Sequence, residues 1–282
     1  MKTILVPTDF TAHANAGVQL ASQIASQTGS PIALLHNVSC LVNWEGLSEE
    51  ERHRQYELYS KTKIGERKLN DLVSGDLDAE LNVSKVVTHG ITYSEIVNKA
   101  EQLNADMIIM GSHGHEGPDR VFIGSNIQKV IRFAKCPVLA AKNALPHKSV
   151  KKIVFPSLFD FDVHKPFGEV VKLATALNAT IYLLYVNTPA KFKDSFVIEQ
   201  EMKEFCDQYP NLKFKCGIYD HHDAVEGMLE YCREIDADMI ALVTRDRRHS
   251  PKYLVGITEL VASQADIPVL SVNEKIFEPV LE

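Results

Sequence analysis

Short, almost fully apolar runs recur along the chain, separated by segments in which apolar residues return every three or four positions. The runs "TILVPT" (3–8), "PIALLHNV" (31–38), "LNVSKVVT" (81–88), "DMIIMG" (106–111) and "PVLAAK" (137–142) are strand-length and rich in β-branched residues, so they predict buried strands. Between the first two, Ala14, Val18, Ala21 and Ala25 share one helical face, with Gly17, Leu20 and Ile24 beside them. Thr11 is the predicted N-cap of that helix and Gly29 its C-terminal stop. A charged helix within 47–74, a helix over 92–104 and a helix over 125–134 fill the other intervals. Apolar strands joined by helical crossovers predict a parallel sheet covered on both faces, wound in the right-handed sense.

The pattern then repeats. "KTILVPTDF" (2–10) matches "KKIVFPSLF" (151–159), and "SPIALLHNV" (30–38) matches "ATIYLLYVN" (179–187). "NADMIIMGS" (104–112) matches "DADMIALVT" (236–244), and "CPVLAAK" (136–142) matches "IPVLSVN" (267–273). The expected fold is α/β, with two tandem doubly wound parallel sheets of five strands each. The expected domains are 1–144 and 149–273, separated by the polar segment around Pro146 and followed by a tail at 274–282.

Composition narrows the class. With 45% hydrophobic and 24% charged residues, each half can bury an ordinary core. The net charge of -7 argues against nonspecific nucleic-acid binding. The five cysteines (40, 136, 206, 216 and 232) form no CxxC pair, which favours a reducing compartment. There is no apolar leader and no run of membrane-spanning length, so a cytoplasmic protein without membrane contact is expected.

The candidate chemistry lies in "GSHGHEGPDRVFIGSN" (111–126), where a strand passes into a helix. Doubly wound sheets bind ligands beyond the carboxyl ends of their strands, where strand order reverses. Gly111 and Gly114 suit positive φ and close backbone approach, and Gly117 has no assigned role. Gly124, Ser125 and Asn126 sit where a helix starts, and free amides with the positive dipole end there favour a phosphate. The competing reading is that these glycines only make turns and Ser125 only caps the helix. Asp9, at the end of the first strand, suits either a ribose or adenine contact or a helix cap. His113 and His115 in a flexible loop suit solvent better than a metal, and Arg120 likewise.

The spacing Gly111, Gly114, Gly124, Ser125 fits G-2x-G-9x-G-[S/T]. Together with "VPTDF", "ALLHNV" and "DMIIMGSHG", it resembles the ATP-binding branch of the universal stress protein family, across both halves. The resemblance implies that Gly111, Gly114, Gly124, Ser125 and Asn126 contact the ribose or phosphates of ATP, with Mg²⁺ carried by the nucleotide. It places Pro7, Thr8 and Asp9 beside the adenosine, Asn37 at the adenine edge where the family commonly has valine, and Met110 beside the base. It implies pairing of the two last strands, "PVLAA" with "PVLSV", within the chain, and further association into a homodimer.

The second half lacks the pattern. Val243 stands at the place of Gly111, Asp246 at that of Gly114 and Leu158 at that of Asp9, so no ATP is expected there. "TRDRRHSP" (244–251) is cationic and suits either another anion or plain solvation. No SGGxDS-like loop or HxGH motif supports an ATP pyrophosphatase or adenylyl transferase. No Walker A or GxGxxG motif is present either. No residue is placed by a recognisable motif to activate water, so any ATP hydrolysis is expected to be slow. A nucleotide-free dimerisation scaffold is the remaining alternative.

Overall fold

The computed structural model describes residues 2–75, 77–112, 123–145, 149–159, 163–244 and 256–274. In the first half, β1 (Ile4–Pro7), α1 (Ala12–Thr28), β2 (Ile32–Ser39), α2 (Glu49–Arg54), α3 (Tyr56–Gly75), β3 (Val83–Gly90), α4 (Thr92–Gln102), β4 (Met107–Gly111), α5 (Ser125–Phe133) and β5 (Val138–Ala141) follow one another. The second half runs β6 (Lys152–Pro156), α6 (His164–Leu177), β7 (Thr180–Asn187), α7 (Ser195–Asp207), β8 (Phe214–Asp220), α8 (Ala224–Glu234), β9 (Met239–Thr244), α9 (Ile257–Gln264) and β10 (Val269–Asn273).

The expected strands and helices are present, and the two five-stranded sets form one ten-stranded sheet, ordered β3-β2-β1-β4-β5-β10-β9-β6-β7-β8. Every neighbouring pair is parallel except β5 with β10, where Leu139 faces Leu270. The "PVLAA" and "PVLSV" edges therefore meet within the chain, which removes two exposed sheet edges. Apolar residues from both halves form one continuous layer on each face of this sheet. The link into the second half is tied to α1: Gln23 accepts from the Leu145 amide and donates to its carbonyl, and Gln27 accepts from the Val150 amide.

Local sequence explains the ends. Thr11 caps α1 by accepting from the Ala14 amide, and Gly29 closes it at φ 69°. The charged stretch within 47–74 is two helices rather than one. Ser48 and Glu51 build a capping box on α2, and the chain breaks at Gln55 (φ -84°, ψ 57°) before α3.

The repeat extends to backbone detail. Left-handed residues recur at matched positions: Phe10 and Phe159 (φ 67° and 53°), Gly29 and Asn178 (69° and 48°), and Asn104 and Asp236 (46° and 50°). Thr8 and Ser157 accept equivalent bonds from the amides of Phe10 and Phe159. Asp106 and Asp238 accept equivalent bonds from the amides of Lys2 and Lys151.

Candidate functional site

A cleft of about 630 Å³ opens at the carboxyl ends of the first-half strands. It lies where β1 passes to β2 on one side and β4 on the other, the point at which strand order reverses. Its size suits a nucleotide-sized ligand. Pro7, Thr8 and Asp9 leave β1 along one side, Met110 and Gly111 end β4, and Gly124, Ser125 and Asn126 start α5 opposite them. Asn37 reaches it from β2. Nine of the ten residues expected at a nucleotide site thus line one cleft; the tenth, Gly114, lies outside the described residues, as do Gly117, His113, His115 and Arg120.

The start of α5 is its most polar part. Gly124 is the N-cap residue, at φ 92° and ψ 138°, where a side chain would be strained. Among the described residues no side chain caps the helix, and its first-turn amides have no side-chain acceptor there. Ser125 and Asn126 are exposed at that end, while Ile127 turns inward. This is the geometry in which helix N-termini receive phosphates.

Gly111 is needed for a reason different from the one expected. Its φ is not positive. A Cβ there would lie 1.8 Å from the His13 carbonyl oxygen, and one on Gly17 would lie 2.5 Å from the Gly111 amide nitrogen. The two glycines let the first turns of α1 press directly on the end of β4. That contact brings His13 and Ala14 to the cleft wall.

Asp9 is partly committed to local structure. Its Oδ1 accepts from the Thr11 amide (3.0 Å) and the Thr11 hydroxyl (2.6 Å), while Thr11 in turn caps α1. Among the described residues its Oδ2 has no bonded partner, so the helix cap and a ligand contact are compatible. Asn37 is more fully engaged. Its amide group donates to the Gly90 carbonyl (3.1 Å) and the Thr92 hydroxyl (3.0 Å), and its carbonyl accepts from Thr88 (3.0 Å). Both side-chain protons are used, so the side chain locks β2 to β3 and α4 and has only a carbonyl lone pair left over.

The cleft also uses residues that the sequence reasoning did not select: Thr11, His13, Leu35, Thr92, Ile96 and Ile123. Thr92 was accessible in principle, because it follows the carboxyl end of β3 as Asp9 follows that of β1. Leu35, Ile96 and Ile123 are almost fully buried and give the cleft its apolar wall. They look like core positions in sequence.

At the start of α9 the second half supplies its own groups. Glu259 folds back so that Oε2 accepts from the Gly256 amide (2.6 Å), supplying a carboxylate to the N-terminus of α9. Arg132 of α5 donates to the same carboxylate at 2.8 Å. Val243, next to the end of β9, stands at the position matching Gly111, and Leu158 replaces Asp9. Asp246 and residues 245–251 of the basic segment lie outside the described residues.

Fold and cleft together define a tandem doubly wound α/β protein with an open cleft at the strand-order reversal of its first half. The family model for the universal stress protein family matches residues 1–142, half of the chain. A universal stress protein of Methanocaldococcus jannaschii is 29% identical over 153 residues, covering 50% of this chain and 94% of its own. A second from that organism is 30% identical over 149 residues, covering 50% of this chain and 82% of its own. The crystal structure of a universal stress protein from Archaeoglobus fulgidus superposes along the chain, with a TM-score of 0.70 at 18% identity, covering 96% of this chain and 98% of that one. The chain belongs to the universal stress protein family. Among the described residues, no helix is long and apolar enough to cross a membrane.

Proposed function

We propose that the first half binds an adenine nucleotide, ATP, in the cleft between β1, β4 and α5, and that occupancy changes conformation or association in a stress response. The observation that carries this reading is the uncapped start of α5, with Gly124 at φ 92°, facing a cleft of nucleotide size. In this reading the amides and hydroxyl of the first turn of α5 hold the phosphates, and the backbone of Asn37 with Met110 borders the base. Asp9 Oδ2 accepts from a ribose hydroxyl or the adenine amino group. Mg²⁺ enters on the phosphates, with few protein ligands. Residues 1–144 act as the nucleotide domain. Residues 149–273 act as a nucleotide-free domain, which the self-capped α9 and the β5–β10 join both favour. Association with a second copy is the proposed output.

Isothermal titration with ATP tests the site. Ser125→Asp puts a carboxylate where the phosphates belong, at a helix end that tolerates acidic residues. It is expected to weaken ATP binding at least about tenfold, equivalent to about 1.4 kcal/mol, with the fold intact. Unchanged affinity overturns the assignment.

A further inference from the structure

The junction of β8 and α8 holds a cluster that the nucleotide site does not use. One donor atom from each of His221, His222 and Glu226 lies within 4.8 Å of the other two. Glu230 stands one turn further along α8, its Oε2 3.6 Å from His221 Nε2. The sequence places these groups together for simple reasons. Glu226 and Glu230 are four apart and share a helix face. The two histidines sit just before Asp223, the N-cap residue that fixes the start of that helix.

Two details bear on what this cluster can hold. The first is tautomer. His221 Nδ1 lies 2.7 Å from the Asp223 carbonyl oxygen and 3.0 Å from the Asp223 amide. In the tautomer that donates from Nδ1 to the Asp223 carbonyl, the shorter of the two contacts, Nε2 keeps its lone pair and is turned toward Glu230. Metal-binding histidines are usually fixed this way, by a carbonyl on the other nitrogen. His221 is also set by packing: a Cβ on Gly227 would lie 2.8 Å from the His221 Cβ, so that glycine makes room for it.

The second detail is spacing. His222 Nε2 and Glu226 Oε2 are 3.5 Å apart, and His221 Nε2 and Glu230 Oε2 are 3.6 Å apart. A charged hydrogen bond would close to about 2.8 Å. Nitrogen and oxygen ligands on a tetrahedral zinc ion, bonded at about 2.0–2.2 Å, stand about 3.3–3.6 Å from each other. The His222–Glu226 pair stands at the edge length of such a tetrahedron, and the His221 donor atom lies within 4.8 Å of both.

We propose that the β8–α8 junction is a binding site for a divalent transition-metal ion of the zinc type, with His221, His222 and Glu226 as ligands and Glu230 as the adjoining carboxylate. The imidazole and carboxylate donors suit Zn²⁺ and its Co²⁺ substitute better than Mg²⁺ or Ca²⁺. The histidines approach the ion from the loop and the carboxylates from the helix, so the ion ties the start of α8 to the end of β8. The β8–α8 junction is the second-half counterpart of the β3–α4 junction, which gives Thr92 and Ile96 to the nucleotide cleft. The second half would thus use the equivalent junction, at the opposite edge of the sheet, for a cation.

Untagged full-length protein, stripped with a chelator, is titrated with Zn²⁺ by calorimetry and with Co²⁺ by visible absorption. One Zn²⁺ per chain is expected, with the intense absorption of four-coordinate Co²⁺. His222→Ala and Glu226→Gln change exposed side chains, so both should fold, and each is expected to weaken Zn²⁺ more than about tenfold. His53→Ala, an exposed histidine on α2, should bind as the parent does. Absence of binding in the parent overturns the proposal. So does equal affinity in His222→Ala and Glu226→Gln, or an equal loss in His53→Ala.

Discussion

Arg132, in the last turn of α5, and Glu259, in the first turn of α9, join the two halves. Arg132 donates to Glu259 at 2.8 Å through Nε and 2.7 Å through Nη2. The Glu259 side chain is only 5% exposed and also holds the Gly256 amide at the start of α9. A buried carboxylate that loses its cation becomes an uncompensated charge. Arg132→Ala is therefore expected to cost about 2–3 kcal/mol in denaturant unfolding, less than for a fully buried pair because Arg132 is half exposed. A change below about 0.5 kcal/mol would show that the bridge is incidental.

The Gly17–Gly111 contact predicts a contrast among glycines. Gly111→Ala forces a methyl group into the His13 carbonyl, and Gly17→Ala forces one into the backbone of β4. Each is expected to destabilise by at least about 1–3 kcal/mol. Gly168, within α6, has open space around its missing Cβ. Gly168→Ala should stabilise by about 0.5–1 kcal/mol, because alanine loses less backbone freedom in a helix. Thermal melts of the three variants check the ordering.

Asn37 separates a structural role from a binding role. Asn37→Val removes three hydrogen bonds among β2, β3 and α4. The expected loss of stability is about 1–3 kcal/mol. If only the Asn37 backbone faces the base, ATP affinity in the folded variant should stay within about threefold, or under 1 kcal/mol. A much larger loss of affinity would return the side chain to the ligand.

His89 predicts a pH effect. Its ring stacks on Trp44 at 4.6 Å and its Nε2 meets Thr62 Oγ1 at 2.8 Å. Burial pulls its pKa below the ordinary 6.5, with Glu45 opposing that shift only in part. The folded state thus favours the neutral ring, while the unfolded chain takes up a proton near pH 6.5. The stability due to the neutral ring is complete above that pH and declines as pH falls through the window down to the folded pKa. The slope is at most about 1.4 kcal/mol per pH unit. Glu95, raised by burial above 4.5, contributes the opposite slope in a more acidic window. His89→Gln leaves Glu95 in place and should flatten the decline just below pH 6.5; equal slopes in parent and variant would contradict this assignment.

Much of this architecture is visible in the sequence because a parallel sheet buried on both faces leaves continuous apolar runs. The repeat was readable for the same reason. What was not readable depends on contacts between distant segments. The wrong reason for Gly111 is one example: a glycine needed for close helix packing looks the same in sequence as one needed for a turn. The partners that occupy Asn37 lie more than fifty residues away in β3 and α4. The break at Gln55 was hidden because α2 and α3 are both charged and exposed. Losses at the second-half site were evident from Val243 and Leu158. That Arg132 bridges to Glu259 was not, because the two lie 127 residues apart.

The most direct test of nucleotide binding in the first half alone is to denature the purified full-length protein and quantify the adenine nucleotide released or retained after saturation with ATP and Mg²⁺. About one nucleotide per chain is expected for the parent, as a single occupied site requires, and essentially none for Ser125→Asp. Two per chain, or one per chain that survives Ser125→Asp, would contradict the account.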